Sequence, residues 1–111
     1  MTKVRMFRSG SSIRGFSIKG HAGSATGSEY DMVCAAISGI TYTALAALES
    51  LCNIRTYKES DGEMNMMLPS VLEKDCSYKA SIILETMEIG LKQIEHQYPQ
   101  YIQTVCKEVS S

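Results

Sequence analysis

His21 and Cys34 stand near the two ends of one glycine-dotted segment, Gly20-His21-Ala22-Gly23-Ser24-Ala25-Thr26-Gly27-Ser28-Glu29-Tyr30-Asp31-Met32-Val33-Cys34. Together they supply an imidazole and a thiol. A thiolate is the nucleophilic form of cysteine, and a neutral imidazole can take the thiol proton and return it to a leaving amine. Cys34 is therefore the candidate nucleophile and His21 the candidate base. Gly23, Ser24 and Gly27 mark a small-residue loop suited to cover a bound substrate. Asp31 either caps the helix that follows or orients His21, the third role in a triad. Ser38 lies one helical turn beyond Cys34 on the same side; it either faces the site or bonds a backbone carbonyl. The bland alternative is a buried structural cysteine and a solvated histidine. One cysteine and one histidine do not fill a tetrahedral zinc shell, so neither metal nor cofactor is expected.

The surrounding pattern says which elements hold these groups. Val4 and Met6 alternate, Ser9-Gly10-Ser11-Ser12 turns the chain, and Phe16 and Ile18 alternate again, which predicts a β-hairpin ending at Gly20. A helix follows over about 32–52, with Asp31 as N-cap. Its buried stripe is expected to be Val33, Ile37, Ile40, Ala44, Leu48 and Leu51. In that register Cys34 is the third helical residue, among backbone N–H groups without helical partners, where negative charge and an oxyanion are favoured. Asp61-Gly62 between two strand-like runs, 54–59 and 63–69, predicts a second hairpin with Met64, Met66 and Leu68 on its core face. A second helix is predicted over 77–97, with Leu84, Met87, Leu91, Ile94 and Tyr98 inward. Ile82, Ile83 and Ile89 widen its apolar surface in the manner of an oligomer contact. Residues 101–105 read as a last strand. The order ββαββαβ makes this an α+β fold, a mixed, mainly antiparallel sheet with two helices, in one domain over 1–111.

The bulk properties narrow the function classes. A length of 111 residues fits a single core. A net charge of −1 removes the basic field that non-specific nucleic-acid binding needs, so no direct nucleic-acid contact is expected. The amino terminus has no apolar signal core, and no uninterrupted apolar run approaches a membrane span. The expectation is a cytoplasmic protein with no membrane contact and with reduced thiols. Cys52, Cys76 and Cys106 form no C-x-x-C motif and read as structural; His96 reads as surface.

At Gly20-His21-Ala22-Gly23 and Asp31-Met32-Val33-Cys34-Ala35-Ala36-Ile37-Ser38 the chain resembles the bacterial ribosomal-processing cysteine protease family. The likeness extends to Leu68-Pro69 and to Glu95-x-x-Tyr98-Pro99-x-Tyr101. Met32 stands where that family has isoleucine, and the segment between His21 and Cys34 is one residue longer. The resemblance implies that Cys34 is the nucleophile, His21 the base, and Asp31 and Ser38 supporting polar groups. It also implies a homodimer and a specific reaction, removal of the amino-terminal extension of a large-subunit ribosomal protein by a cut after an aromatic residue. Two rival readings remain from the residues alone. One is a non-catalytic module that clamps a ribosomal or other protein tail. The other is a thiol enzyme of acyl transfer or redox chemistry; the lack of a partner cysteine near Cys34 in sequence argues against a disulfide cycle unless folding brings Cys52, Cys76 or Cys106 close.

Overall fold

The computed structural model describes residues 1–20 and 28–109. Seven elements follow in the expected order: β1 (Thr2–Ser9), β2 (Ser12–Lys19), α1 (Ser28–Cys52), β3 (Tyr57–Ser60), β4 (Glu63–Met67), α2 (Lys74–Gln97) and β5 (Ile102–Glu108). They build one α+β domain. The sheet runs β3-β4-β2-β1-β5; β1 and β5 pair in parallel and every other neighbour is antiparallel. Gly62, at φ +71°, makes the tight turn between β3 and β4 that Asp61-Gly62 predicts.

Both helices cover one face of the sheet. Val4, Met6, Phe16, Ile18, Met64, Met66 and Ile102 meet Val33, Ile37, Ala44 and Leu48 of α1 and Ala80, Leu84, Met87 and Leu91 of α2. Met64 and Met66 thus fill the core, as their alternation predicts. Ile13 and Phe16 are both buried although an odd spacing puts residues on opposite faces of a regular strand. The pairs Arg8↔Ile13 and Phe7↔Gly15 leave Arg14 as an extra residue, and that bulge returns Ile13 to the core side.

Several boundaries differ from the sequence expectation. The first helix begins at Ser28, four residues before Met32, so Asp31 is not its N-cap but its fourth residue. Tyr30 explains the extension: it is buried and meets the Tyr101 ring edge-on at 5.3 Å, which draws the preceding turn into the helix. Glu29 and Asp31 in that turn complement the helix dipole. Leu51 is 55% exposed, and Cys52, four residues after Leu48, takes the buried position instead. Asn53 at φ 56° ends the helix; its N–H reaches the Glu49 carbonyl and the Ile54 N–H the Leu48 carbonyl. Ile54 is therefore tucked under the helix end, and β3 starts only at Tyr57. The second helix starts at Lys74 rather than Ser77, and β5 runs on to Glu108 alongside β1.

The Glu29–Cys52 stretch is, by length and composition, apolar enough to cross a membrane. Its alanines, isoleucines and leucines carry that average. In the fold this stretch is the core helix, with Val33, Ile37, Thr41, Ala44, Leu45 and Leu48 buried along it.

Candidate active site

Cys34 is half-buried on α1, and the side chains at its helical repeat continue a single wall: Ile37, Ser38, Thr41 and Tyr42. The opposite wall is the β3–β4 hairpin, with Glu59, Ser60 and Glu63. Ile18 and Met64 complete the lining from the sheet. These groups enclose a half-open cleft of about 110 Å³, with a thiol at one end and apolar side chains among its hydroxyls and carboxylates. The Tyr42 hydroxyl donates to the Glu59 carboxylate, joining helix to hairpin across the cleft. That bond, together with burial of the phenol, raises the Tyr42 pKa above its ordinary value. Lys19 faces Glu63 at 3.5 Å on the hairpin side. Thr41 and Thr43 tie their hydroxyls to carbonyls one turn back, Ile37 and Gly39.

Of the sequence-predicted site residues, the fold brings Cys34 and Ser38 into one cleft. Asp31 is exposed, one turn before Cys34 on α1. His21 and the lid residues Gly23, Ser24 and Gly27 lie outside the described residues. The chain leading to them is fixed at this end of the molecule: Ile18 lines the cleft, and the Gly20 N–H bonds the Gly62 carbonyl of the hairpin turn at 3.0 Å.

One part of the expected chemistry needs correction. With α1 starting at Ser28, Cys34 is the seventh helical residue, not the third. Its own N–H is committed to the helix, pointing at the Tyr30 carbonyl four residues back, and is no oxyanion donor. The dipole contribution also fades beyond the first turn. Among the described residues Ser38, one helical turn on, lines the same cleft as the thiol.

Sequence reasoning missed Tyr42 and Glu59. The signal for Tyr42 was present, since it repeats Cys34 and Ser38 at helical spacing; Glu59 on a strand edge gave none. It also missed what Tyr30 does. Tyr98, Tyr101 and Tyr30 form a ring cluster that seats the start of α1, which gives the Tyr98-Pro99-x-Tyr101 motif a positioning role.

The remaining cysteines sit elsewhere. Cys52 and Cys76 face each other where α1 ends and α2 begins, each thiol within 3.8 Å of the other's carbonyl oxygen. Burial and the neighbouring Cys76 push the Cys52 thiol up. Cys52 is eighteen residues from Cys34 along one helix, about 27 Å at 1.5 Å per residue. Cys106 hydrogen-bonds Glu88 on α2. The fold thus pairs these three thiols with other partners than Cys34, and does not supply the partner cysteine that a disulfide cycle needs. Among the described residues no group of three or more His, Cys, Asp or Glu could hold a metal ion.

A half-buried helical thiol opening on a cleft in a small α+β domain is the arrangement of a thiol enzyme. The chain belongs to the Prp cysteine protease family, whose model matches residues 1–103. It is a cysteine protease. Solved structures share the fold. SMU.848 from Streptococcus mutans superposes with a TM-score of 0.81 at 22% identity, over 98% of this chain and 96% of that one. The ribosomal processing protease Prp of Staphylococcus aureus, in complex with a substrate peptide, gives 0.81 at 22% identity, over 96% of this chain and all of that one. The same S. aureus protease with a covalently linked product peptide gives 0.79 at 23%. No curated protein matches the sequence.

Proposed function

We propose that this protease removes the amino-terminal extension of a large-subunit ribosomal protein, cutting after an aromatic residue. The observation that carries the reading is Cys34 in the lining of the α1–hairpin cleft, with β2 and Gly20 at that same end of the molecule. The S. aureus Prp complexes with substrate and product peptides support it by likeness of fold.

In this mechanism His21 takes the Cys34 proton and the sulfur attacks the scissile carbonyl carbon. The tetrahedral oxyanion collapses as the peptide C–N bond breaks, and His21 passes its proton to the departing amine. Water, deprotonated by His21, then cleaves the thioester and restores the thiol. Ser38 donates to the oxyanion, Asp31 supports the imidazole, and Gly23, Ser24 and Gly27 let the loop close over the peptide.

In this reading the protein works in the cytoplasm, where ribosomal precursors are made. The protein acts as a homodimer, joined across the outer α1–α2 face, where Ile82 and Ile89 are 49% and 59% exposed beside Ala36, Ile40 and Gly90. Incubating the precursor with the protein and mapping the cut by mass spectrometry tests the reading. One new amino terminus following an aromatic residue is expected; an intact precursor overturns it.

A further inference from the structure

Both helices lie on one face of the sheet, and the other face carries an uneven share of the charge. Alternation along the paired strands puts Lys3 and Arg5 of β1, Lys19 of β2, Lys58 of β3 and Lys107 of β5 on that open side, opposite core residues such as Val4 and Ile18. They are five of the chain's eleven lysines and arginines, in a protein whose net charge is −1. Among the described residues one carboxylate shares the face, that of Glu63, and it meets Lys19 at 3.5 Å. The other four cations enter no ion pair among the described residues. Lys3 lies directly across from Lys19 in the β1–β2 ladder, a like-charge pairing that costs stability. The expectation of no nucleic-acid contact rests on the average charge, and that average hides a basic sheet face.

We propose that this open face binds single-stranded RNA, with phosphates on the cations and one base on the Phe7 ring. Phe7 is half-buried on the same side, two residues from Arg5 and beside Lys107 on β5; Gly15, its partner on β2, adds no side chain to cover the ring. Lys3, Arg5, Gln103, Val105 and Lys107 line an open groove along β1 and β5. Cations along a groove hold a phosphate backbone, and an aromatic ring on a sheet stacks an unpaired base. A bilayer surface offers the negative charge but no base, and a half-buried ring does not reach the acyl chains. A second copy of this chain would bring the same cations face to face. The proposal goes beyond the protease reading and stands without it.

Fluorescence anisotropy with a labelled, unstructured RNA of about 12 nucleotides, at several salt concentrations, is the test. Wild type is expected to bind in the micromolar range at low salt, with log K falling against log salt by about 0.7 per phosphate contacted. Lys3→Glu with Arg5→Glu should weaken binding about tenfold or more and reduce that slope by about 1.4. Lys107→Glu, on the exposed edge strand, should weaken it severalfold while leaving β1 untouched. Phe7→Leu keeps the apolar bulk and should lose about fivefold at an unchanged slope, the loss of one stacked base. Lys74→Glu with Lys79→Glu makes the same charge change on α2 and should stay within about twofold of wild type. No binding by wild type, or an equal loss in the α2 variant, overturns the proposal. Binding to phosphatidylserine vesicles with none to RNA overturns it as well.

Discussion

Cys34 lines a cleft with Ser38, as its spacing predicts, but from the seventh helical position rather than the third. The motif and the helical repeat with Ser38 were legible in sequence because both depend only on local spacing. The helix start was not, because Tyr30 is held by Tyr101, seventy-one positions away, and no local pattern encodes that contact. A second residue, Glu88, belongs to no motif in the sequence and is a buried carboxylate in the fold. It accepts from Arg8 at 2.6 Å and Cys106 at 3.2 Å, with Lys92 at 3.8 Å. Burial alone would push its pKa up. The Cys106 and Arg8 hydrogen bonds, with the charges of Lys92 and Arg8, outweigh that and hold it below the ordinary value. A carboxyl depressed in the folded state stabilises above its unfolded pKa, and the gain is lost as pH falls through the folded value. Glu88→Gln should cost about 1–3 kcal/mol at neutral pH by weakening a buried, charge-assisted network. It should also flatten the decline in stability below about pH 4.5. Urea titrations at several pH values check both; parallel acid limbs for the two proteins would contradict the assignment.

Element order came through from sequence because each strand and helix carries its own period. The bulge at Arg14 did not, since it shows only when β2 is laid against β1. Gly15 likewise reads in sequence as a weak spot in a strand. In the fold a Cβ there would lie 2.1 Å from the Met66 carbonyl oxygen and 2.6 Å from the Met67 sulfur. The backbones of β2 and β4 approach closely at that point, as glycine in a strand often permits. Gly15→Ala must therefore push β4, and the cleft-lining Met64 with it, away from β2. The expected cost is about 2–4 kcal/mol, or a fall in Tm of roughly 10 °C or more. A melting temperature within a degree or two of wild type would show that the two strands do not meet as described.

For the molecule as a whole, one layer of helices on one face of a sheet leaves the outer surface of α1 and α2 uncovered, and apolar side chains remain there. The sequence signalled this through Ile82 and Ile89, which fall off the inward stripe of α2, but periodicity cannot say what covers them. In the homodimer reading wild type elutes at about twice its 12.2 kDa chain mass, and Ile82→Asp with Ile89→Asp elutes as a monomer. A wild type that elutes as a monomer sinks the dimer without touching the protease. The central claim is that the Cys34 thiol performs the cleavage. It is tested most directly by incubating wild type and Cys34→Ala side by side with the ribosomal-protein precursor and following the released extension by mass spectrometry. The account predicts a single cut by wild type and none by Cys34→Ala, with both proteins folded by circular dichroism. An undiminished rate in Cys34→Ala would contradict it.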